Sequence, residues 1–365
     1  MTFRNLLIVF SLLLLAGCSG SDNSSTAPQP PAQGSRILGM DVKDTPSVPY
    51  ATAYQQAMDM GVREVSISLD WELLEPTVGN YDNTLLAIID SFYPFQVSDT
   101  TLVLRPLDTP GPRLPTGLVG SAYDAPAMIT AFEGFLINLH AQLPNLNASG
   151  KLTRIQVGNE IDAYLASDPV LWAQWQTFFN AVKAKITSLW ASGVEVGSVV
   201  QYSVLLDAGK RTQYLNFLTS MDSATITYYP LQADFTMRPP ATVATDFDFI
   251  VNTIPNKPIV FQECGYPSSS INNSSEALQA DFITAVFEAW DTHRDRITLI
   301  DLAWQYDVSP ASVDQWVVDF GMSGQPTENA FRAYLGTLGF SNFDSSEKLA
   351  LQRIKDELAK RSWAK

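Results

Sequence analysis

Histidine is nearly missing from this chain of 365 residues, which has only His140 and His293. A metal site built on imidazoles is thereby all but excluded, and Ser-His-Asp or Cys-His catalysis has few candidates. Both histidines fall in stretches with helical spacing, away from any strand end. Cysteine is equally scarce: Cys18 and Cys264 are the only two. Basic side chains are outnumbered, 23 Lys and Arg against 38 Asp and Glu, for a formal charge of −15. That balance excludes nucleic acid as the expected partner, because phosphate binding needs clustered cations. No glycine-rich phosphate loop follows the first strand-like run, Ile37–Val42, which passes instead into Lys43-Asp44-Thr45-Pro46. An open dinucleotide-binding sheet is therefore the weaker architecture. There is no internal repeat.

What is present is a core. Apolar residues make 46% of the chain and charged residues 17%, the balance of a folded protein rather than a disordered one. The one long apolar run is at the start. Arg4 precedes Leu6 to Leu15, and Leu15-Ala16-Gly17-Cys18 follows. A membrane span needs about 20 apolar residues, so residues 1–18 read as a secretion signal. The ending resembles the bacterial lipoprotein signal, which implies lipidation of Cys18 as the mature N-terminus. Ser19, where an inner-membrane retention signal places Asp, implies the outer membrane of the cell envelope. Residues 19–35 form a Ser-, Pro- and Gly-rich tether. With Cys18 lipidated no intrachain disulfide is available.

From Ile37 onward short β-like runs alternate with helical stretches. The runs are Ile37–Val42, Glu64–Leu69, Thr101–Leu104, Arg154–Val157, Val194–Val200, Ala224–Thr227, Pro258–Phe261 and Ile297–Ala303. Helix starts are marked by Asp124-Ala125-Pro126, Asp168-Pro169 and Ser275-Glu276. Eight β–α pairs imply a single (β/α)8 barrel domain over residues 36–340. In the tail, 341–365, Leu349, Leu351, Ile354 and Leu358 can form one helical face.

Barrel active sites lie at the C-terminal ends of the strands. The residues there are Asp41, Asp70-Trp71-Glu72, Arg105 with Asp108, Asn159-Glu160, Gln201-Tyr202, Tyr228-Tyr229, Glu263 and Trp304-Gln305. Such a ring of carboxylates, amides and aromatics suits sugars, whose apolar faces stack on rings and whose hydroxyls pair with carboxylates and amides. Glycoside hydrolysis needs two carboxyls across the scissile bond, roughly 5–5.5 Å apart in a retaining enzyme. Glu160 after the fourth run and Glu263 after the seventh are the candidates. Adjacent side chains of a strand point to opposite faces, so Asn159 and Glu160 can share the site only if the strand ends or bulges there.

These residues resemble clan A glycoside hydrolases, which are retaining (β/α)8 enzymes. Gly158-Asn159-Glu160-Ile161, Tyr228-Tyr229-Pro230 and Glu263-Cys264-Gly265-Tyr266-Pro267 look most like the endo-β-1,4-galactanase group. The resemblance implies Glu160 as acid/base, Glu263 as nucleophile, Asn159 on the sugar 2-hydroxyl, Tyr229 bonded to the nucleophile and Trp304 as an aromatic floor. The turn from Trp71 to Asp82 is similar to the clan's W-x-x-x-E-P segment and makes Trp71 a further sugar contact. The clan's arginine at the end of strand 2 is missing, since this run offers Ser66, Ser68 and Asp70. Arg105 is the substitute from the next strand, and it and Asp70 are the remaining sugar-contact candidates. The expected partner is a β-linked oligo- or polysaccharide, cleaved by a monomer without metal or organic cofactor. A glycan-binding barrel that lost turnover, and an envelope transglycosylase, are the alternatives.

Overall fold

In the computed structural model, residues 30–190 and 193–363 are described. Cys18 and the rest of the signal segment lie outside them. Eight parallel strands follow the eight apolar runs: β1 (Ile37–Met40), β2 (Glu64–Asp70), β3 (Asp99–Arg105), β4 (Leu152–Val157), β5 (Glu195–Gly197 and Val199–Gln201), β6 (Ala224–Tyr228), β7 (Ile259–Cys264) and β8 (Ile297–Leu302). The fifth strand is broken at Ser198. Its first piece pairs with β4, Ile155 opposite Val196, and its second with β6, Val200 opposite Ile226. β1 pairs with both β2 and β8, so the sheet closes into a single-domain barrel.

The helices start where the capping residues place them. Ser275 accepts a hydrogen bond from the Leu278 amide at 3.2 Å and opens Glu276–Thr292, and Pro126 opens Pro126–Gln142. Strand residues that point outward, such as Leu38, Leu69, Leu102, Leu104, Val157, Ile226 and Ile300, bury against this helix layer. Trp172 and Trp175 of helix Pro169–Trp190 belong to the same core.

The inward face is unusual. Barrel interiors are filled mainly by branched aliphatic side chains. Here Glu64, Thr101, Gln156, Thr225, Gln262 and Asp301 are all buried. The Ser66 hydroxyl donates to Asp301 at 2.8 Å and accepts from the Gln262 amide. Gly39 leaves room for this layer: a Cβ there would lie 2.7 Å from a Glu64 carboxylate oxygen. A Cβ at Gly197 would lie 2.5 Å from the Gln156 amide oxygen.

The chain after β8 makes two further helices, Pro310–Asp319 and Glu328–Gly336. They carry a second apolar cluster of their own, with Trp304, Val313, Val317, Phe331 and Tyr334, which walls one side of the barrel mouth. The last helix, Leu349–Lys360, buries Ala350, Ile354 and Leu358, while Leu349 stays 56% exposed. Beside it Arg361 pairs with Asp291 at 2.7 Å, and Arg36 lies over the rings of Trp290 and Trp363.

Candidate active site

A cleft of about 1110 Å³ opens at the C-terminal ends of the strands, and Glu160 and Glu263 both line it. Each reaches it through a local departure from strand geometry. β4 ends at Val157, and Gly158 then takes φ 81°. A Cβ at Gly158 would lie 2.7 Å from the Trp175 ring, so only glycine fits the turn. Glu160 follows at φ 45°, a left-handed conformation that a side chain adopts at a cost and that clusters at functional sites. The strand end thus lets Asn159 and Glu160 share the cleft. On β7 the register shifts between Phe261 and Glu263, and the neighbours Gln262 and Glu263 both line the cleft.

Three donors converge on Glu160. Thr109 Oγ1 and Gln201 Nε2 reach Oε2 at 2.7 and 2.8 Å, and Thr227 Oγ1 reaches Oε1 at 2.5 Å. Glu263 has one: the Tyr229 hydroxyl donates to Oε2 at 2.6 Å. Tyr229 is in turn held by Gly265, where a Cβ would lie 2.6 Å from its ring. Asn159 lines the cleft with its Nδ2 bonded to Asp108 Oδ1 at 3.0 Å. Trp304, joined to Ala303 by a cis peptide bond, packs against Trp316 and has the Lys43 ammonium 4.9 Å from its ring centre.

Two expectations change. Trp71 is no sugar contact. It begins the helical turn Trp71–Leu74, is fully buried, packs edge-on against Phe132 and donates from Nε1 to Glu75 Oε2 at 2.7 Å. The turn rotates the ring off the strand direction and into the helix layer. Glu75 also accepts from the Gly79 amide at 2.6 Å, so this segment shapes the loop. Arg105 does not stand in for the missing strand-2 arginine. It lines the cleft, but its guanidinium pairs with Asp70 at 2.6 Å and Asp108 at 3.5 Å. Among the described residues no cation forms an ion pair with Glu263. Thr109, Thr227, Lys43 and Tyr334 also line the cleft. Thr227 occupies a strand position and Thr109 the tip of the short hairpin of Leu107–Asp108 and Gly111–Pro112, where spacing could have suggested them. Tyr334 comes from the distant helix Glu328–Gly336, and no local signal marks it.

The electrostatics follow from burial without a counter-charge. Desolvation, with the Glu160 charge adding to it, pushes the Glu263 carboxyl up to about 8, against the Tyr229 hydrogen bond. Burial also raises Glu160, opposed by its three donors. Outside the cleft, burial lifts Asp162 to about 7, and at its floor burial with the Glu64 charge raises Asp301 well above the carboxylate range. These groups bind protons more tightly folded than unfolded. Their contribution to stability is therefore complete below the ordinary carboxylate range and is lost as pH rises through 7 to 8. The melting temperature is expected to be higher at pH 5 than at pH 8 in a calorimetric scan. A higher value at pH 8 would contradict the dry placement of these carboxyls.

No protein-family model matches the sequence, and no curated protein does. Solved structures match by shape. GH5_18 from Bifidobacterium longum subsp. longum ATCC 55813 superposes with a TM-score of 0.69 at 14% identity, over 90% of this chain and 80% of that one. A GH5_18 variant from Streptomyces cattleya in complex with Manb1-4GlcNAc gives 0.66 at 15%, over 90% and 81%. The Ignisphaera aggregans GH53 catalytic domain gives 0.61 at 13%, over 90% and 98%. At these identities the likeness is one of fold, and the chain has the (β/α)8 barrel fold that the GH5_18 and GH53 structures share.

Proposed function

We propose that this chain is a retaining glycoside hydrolase acting on β-linked sugars. The observation that carries the reading is the pair of glutamates, presented into one cleft by a strand end on β4 and a bulge on β7. Glu263, held by Tyr229, attacks the anomeric carbon, and Glu160 protonates the leaving oxygen. In the second step Glu160 takes a proton from water, which attacks the glycosyl-enzyme. Burial raises both carboxyls, and the Glu160 charge adds to the shift of Glu263, so the pair resists losing both protons near neutral pH; the first step needs the retained proton on Glu160 and the charge on Glu263. The donors on Glu160 hold its carboxyl in place across both steps. The fold shared with GH5_18 and GH53 structures supports the reading, as does the carbohydrate bound in the Streptomyces cattleya complex.

The charges of the cleft narrow the substrate. Asp41 pairs with Lys43, Glu72 with Arg113, and Asp70 and Asp108 with Arg105, which leaves Glu160, Glu263, Asp301 and Asp319 of the lining without an ion pair among the described residues. A neutral sugar is favoured over a uronate or a sulfated one, which would meet uncompensated acids. We also propose that Cys18 carries a lipid anchor and places the barrel at the outer membrane. Cys18→Ser should move the protein from the detergent phase to the soluble fraction. The test of the activity is proton NMR of the first product from a panel of aryl β-glycosides. The β-anomer should appear first, and the α-anomer appearing first would rule out retention.

A further inference from the structure

The charges of the chain are unevenly placed on the barrel. The stretches leaving the C-terminal ends of the strands are 41–49, 71–83, 106–125, 158–168, 202–207, 229–241, 265–275 and 303–348. Together they hold 18 Asp and Glu against five Lys and Arg, so most of the formal charge of −15 stands around the mouth. The connections entering the opposite ends, 61–63, 93–98, 143–151, 218–223, 254–258 and 293–296, reverse the sign. They carry Arg63, Lys151, Lys257, Arg294 and Arg296 against Asp222 and Asp295. These five cations donate to backbone carbonyls of their own face, which leave the charge uncancelled: Arg63 to Val62 at 2.6 Å, Lys151 to Val97 at 3.2 Å, Lys257 to Met221, Arg294 to Asp291 at 3.4 Å and Arg296 to Ile254 at 2.9 Å. Of the acids bordering the face, Asp222 pairs with Lys183, Glu195 with Arg154, and Asp291 with Arg36 and Arg361. Asp248 is bonded to His293, and Asp59, Asp99 and Asp295 keep their charge. The face is weakly basic where the mouth is strongly acidic.

The chain toward Cys18 leaves from this same face. Arg36, just before β1, is buried, donates to the carbonyls of Pro31, Ala32 and Gln33 at 3.3, 2.9 and 3.0 Å, and pairs with Asp291 at 2.6 Å. Residues 31–36 are thereby fixed at the N-terminal end of the barrel. The stretch from Cys18 to Pro31 reaches at most about 45 Å. Turning the mouth toward an anchored Cys18 would use about 25 Å of that on the length of helix Glu276–Thr292 alone, before the mouth loops are counted. The face also carries Phe95 and Val97, 72% and 64% exposed. Their connection lies between two of the cations, since the Asp99 amide bonds the Arg63 carbonyl at 2.8 Å and the Thr100 amide that of Lys151 at 2.7 Å. Exposed apolar side chains beside cations suit a lipid headgroup layer. The mouth has exposed apolar side chains too, Val119 and Val318 among them, but in the acidic set of loops.

Resting on the lipid-anchor reading above, we propose that the N-terminal face of the barrel docks on an anionic lipid surface. Phe95 and Val97 enter among the headgroups, and the five cations meet their phosphates. The same surface repels the acidic mouth, which opens away from it. The substrates are then glycans of the aqueous side rather than the sugar heads of lipids in that layer.

The test supplies the anchor by chemistry. The chain from Cys18 onward, which holds every described residue, is coupled through the Cys18 thiol to a maleimide phospholipid in phosphatidylglycerol vesicles; Cys264 is buried. Amide exchange read by mass spectrometry should slow in 93–98 and 254–258 and stay unchanged in 114–125. One charge near such a surface changes the docking equilibrium about fivefold. Lys151→Glu and Arg294→Glu each change two, so each should weaken docking roughly 25-fold and restore fast exchange. No slowing in 93–98, or slowing in 114–125 instead, would overturn the docking. Equal slowing on phosphatidylcholine vesicles would overturn the role of charge. Slowing in concentrated protein without vesicles would give the face to a second copy of the chain and overturn the lipid assignment. Because the anchor is supplied, failure here is distinct from failure of the Cys18 reading, which the detergent partition of Cys18→Ser decides.

Discussion

Glu263→Ala is expected to reduce turnover by a factor on the order of 10⁴–10⁶, whatever the leaving group. The reason is mechanistic rather than structural. Covalent attack is the step assigned to Glu263 alone, since Glu160 is engaged by three donors from the hairpin after β3, from β5 and from β6. The alanine also removes a half-buried carboxyl that has one hydrogen-bond donor and, among the described residues, no ion pair. The folded domain should therefore melt no lower than wild type at pH 8, where this carboxyl loses its proton. Loss of activity with an unchanged or raised melting temperature separates a chemical role from a packing role. A variant that keeps a tenth of wild-type activity would remove Glu263 from the mechanism.

Glu160→Ala should behave differently, because its work depends on the leaving group. An alkoxide is a poor leaving group and needs the proton, so turnover of alkyl glycosides should fall about 10²–10⁴-fold. A nitrophenolate departs with little help. Its first step should proceed, and the glycosyl-enzyme should accumulate because no base remains to activate water. A rapid burst of nitrophenol followed by a slow phase is the expected trace. Equal losses on alkyl and nitrophenyl substrates would mean that Glu160 does not act as the acid.

The fold is legible in the sequence because its signals are local. Each of the eight strands is a short apolar run, and each of the helices opened by Pro126, Pro169 and Glu276 is marked by a proline or a capping residue. The break of β5 at Ser198 is not legible, since it reflects how one strand must pair with two neighbours in different registers. The polar interior is likewise hidden. Glu64, Gln156 and Asp301 sit in runs whose outward residues carry the β signal, and nothing local shows that the inward face is dry.

The site is legible where a residue ends a strand. Asn159, Glu160, Tyr229, Glu263 and Trp304 all line the cleft. Trp71 departs from the strand-end rule because a helical turn begins directly at the end of β2, and Glu75, four residues on, ties the indole inward. Arg105 lines the cleft as its strand end implies, but its partners are set by Asp70 and Asp108 on either side of it. Tyr334, Trp316, Phe320 and Met322 come from about 35 residues after β8, whose position over the mouth is a tertiary fact. The same segment brings Trp316 against Trp304, which strand ends alone could not anticipate.

Azide decides the division of roles between the two glutamates, on which the whole mechanism rests. A small anion needs no base, so it can replace the water that each alanine variant fails to use. In Glu160→Ala, azide attacks the glycosyl-enzyme and should yield the β-glycosyl azide. In Glu263→Ala, azide enters in place of the missing nucleophile, from the opposite face, and should yield the α-azide. Proton NMR of the two products reads the anomers directly. β from Glu160→Ala and α from Glu263→Ala is the predicted pair, and the reversed pair would contradict the assignment.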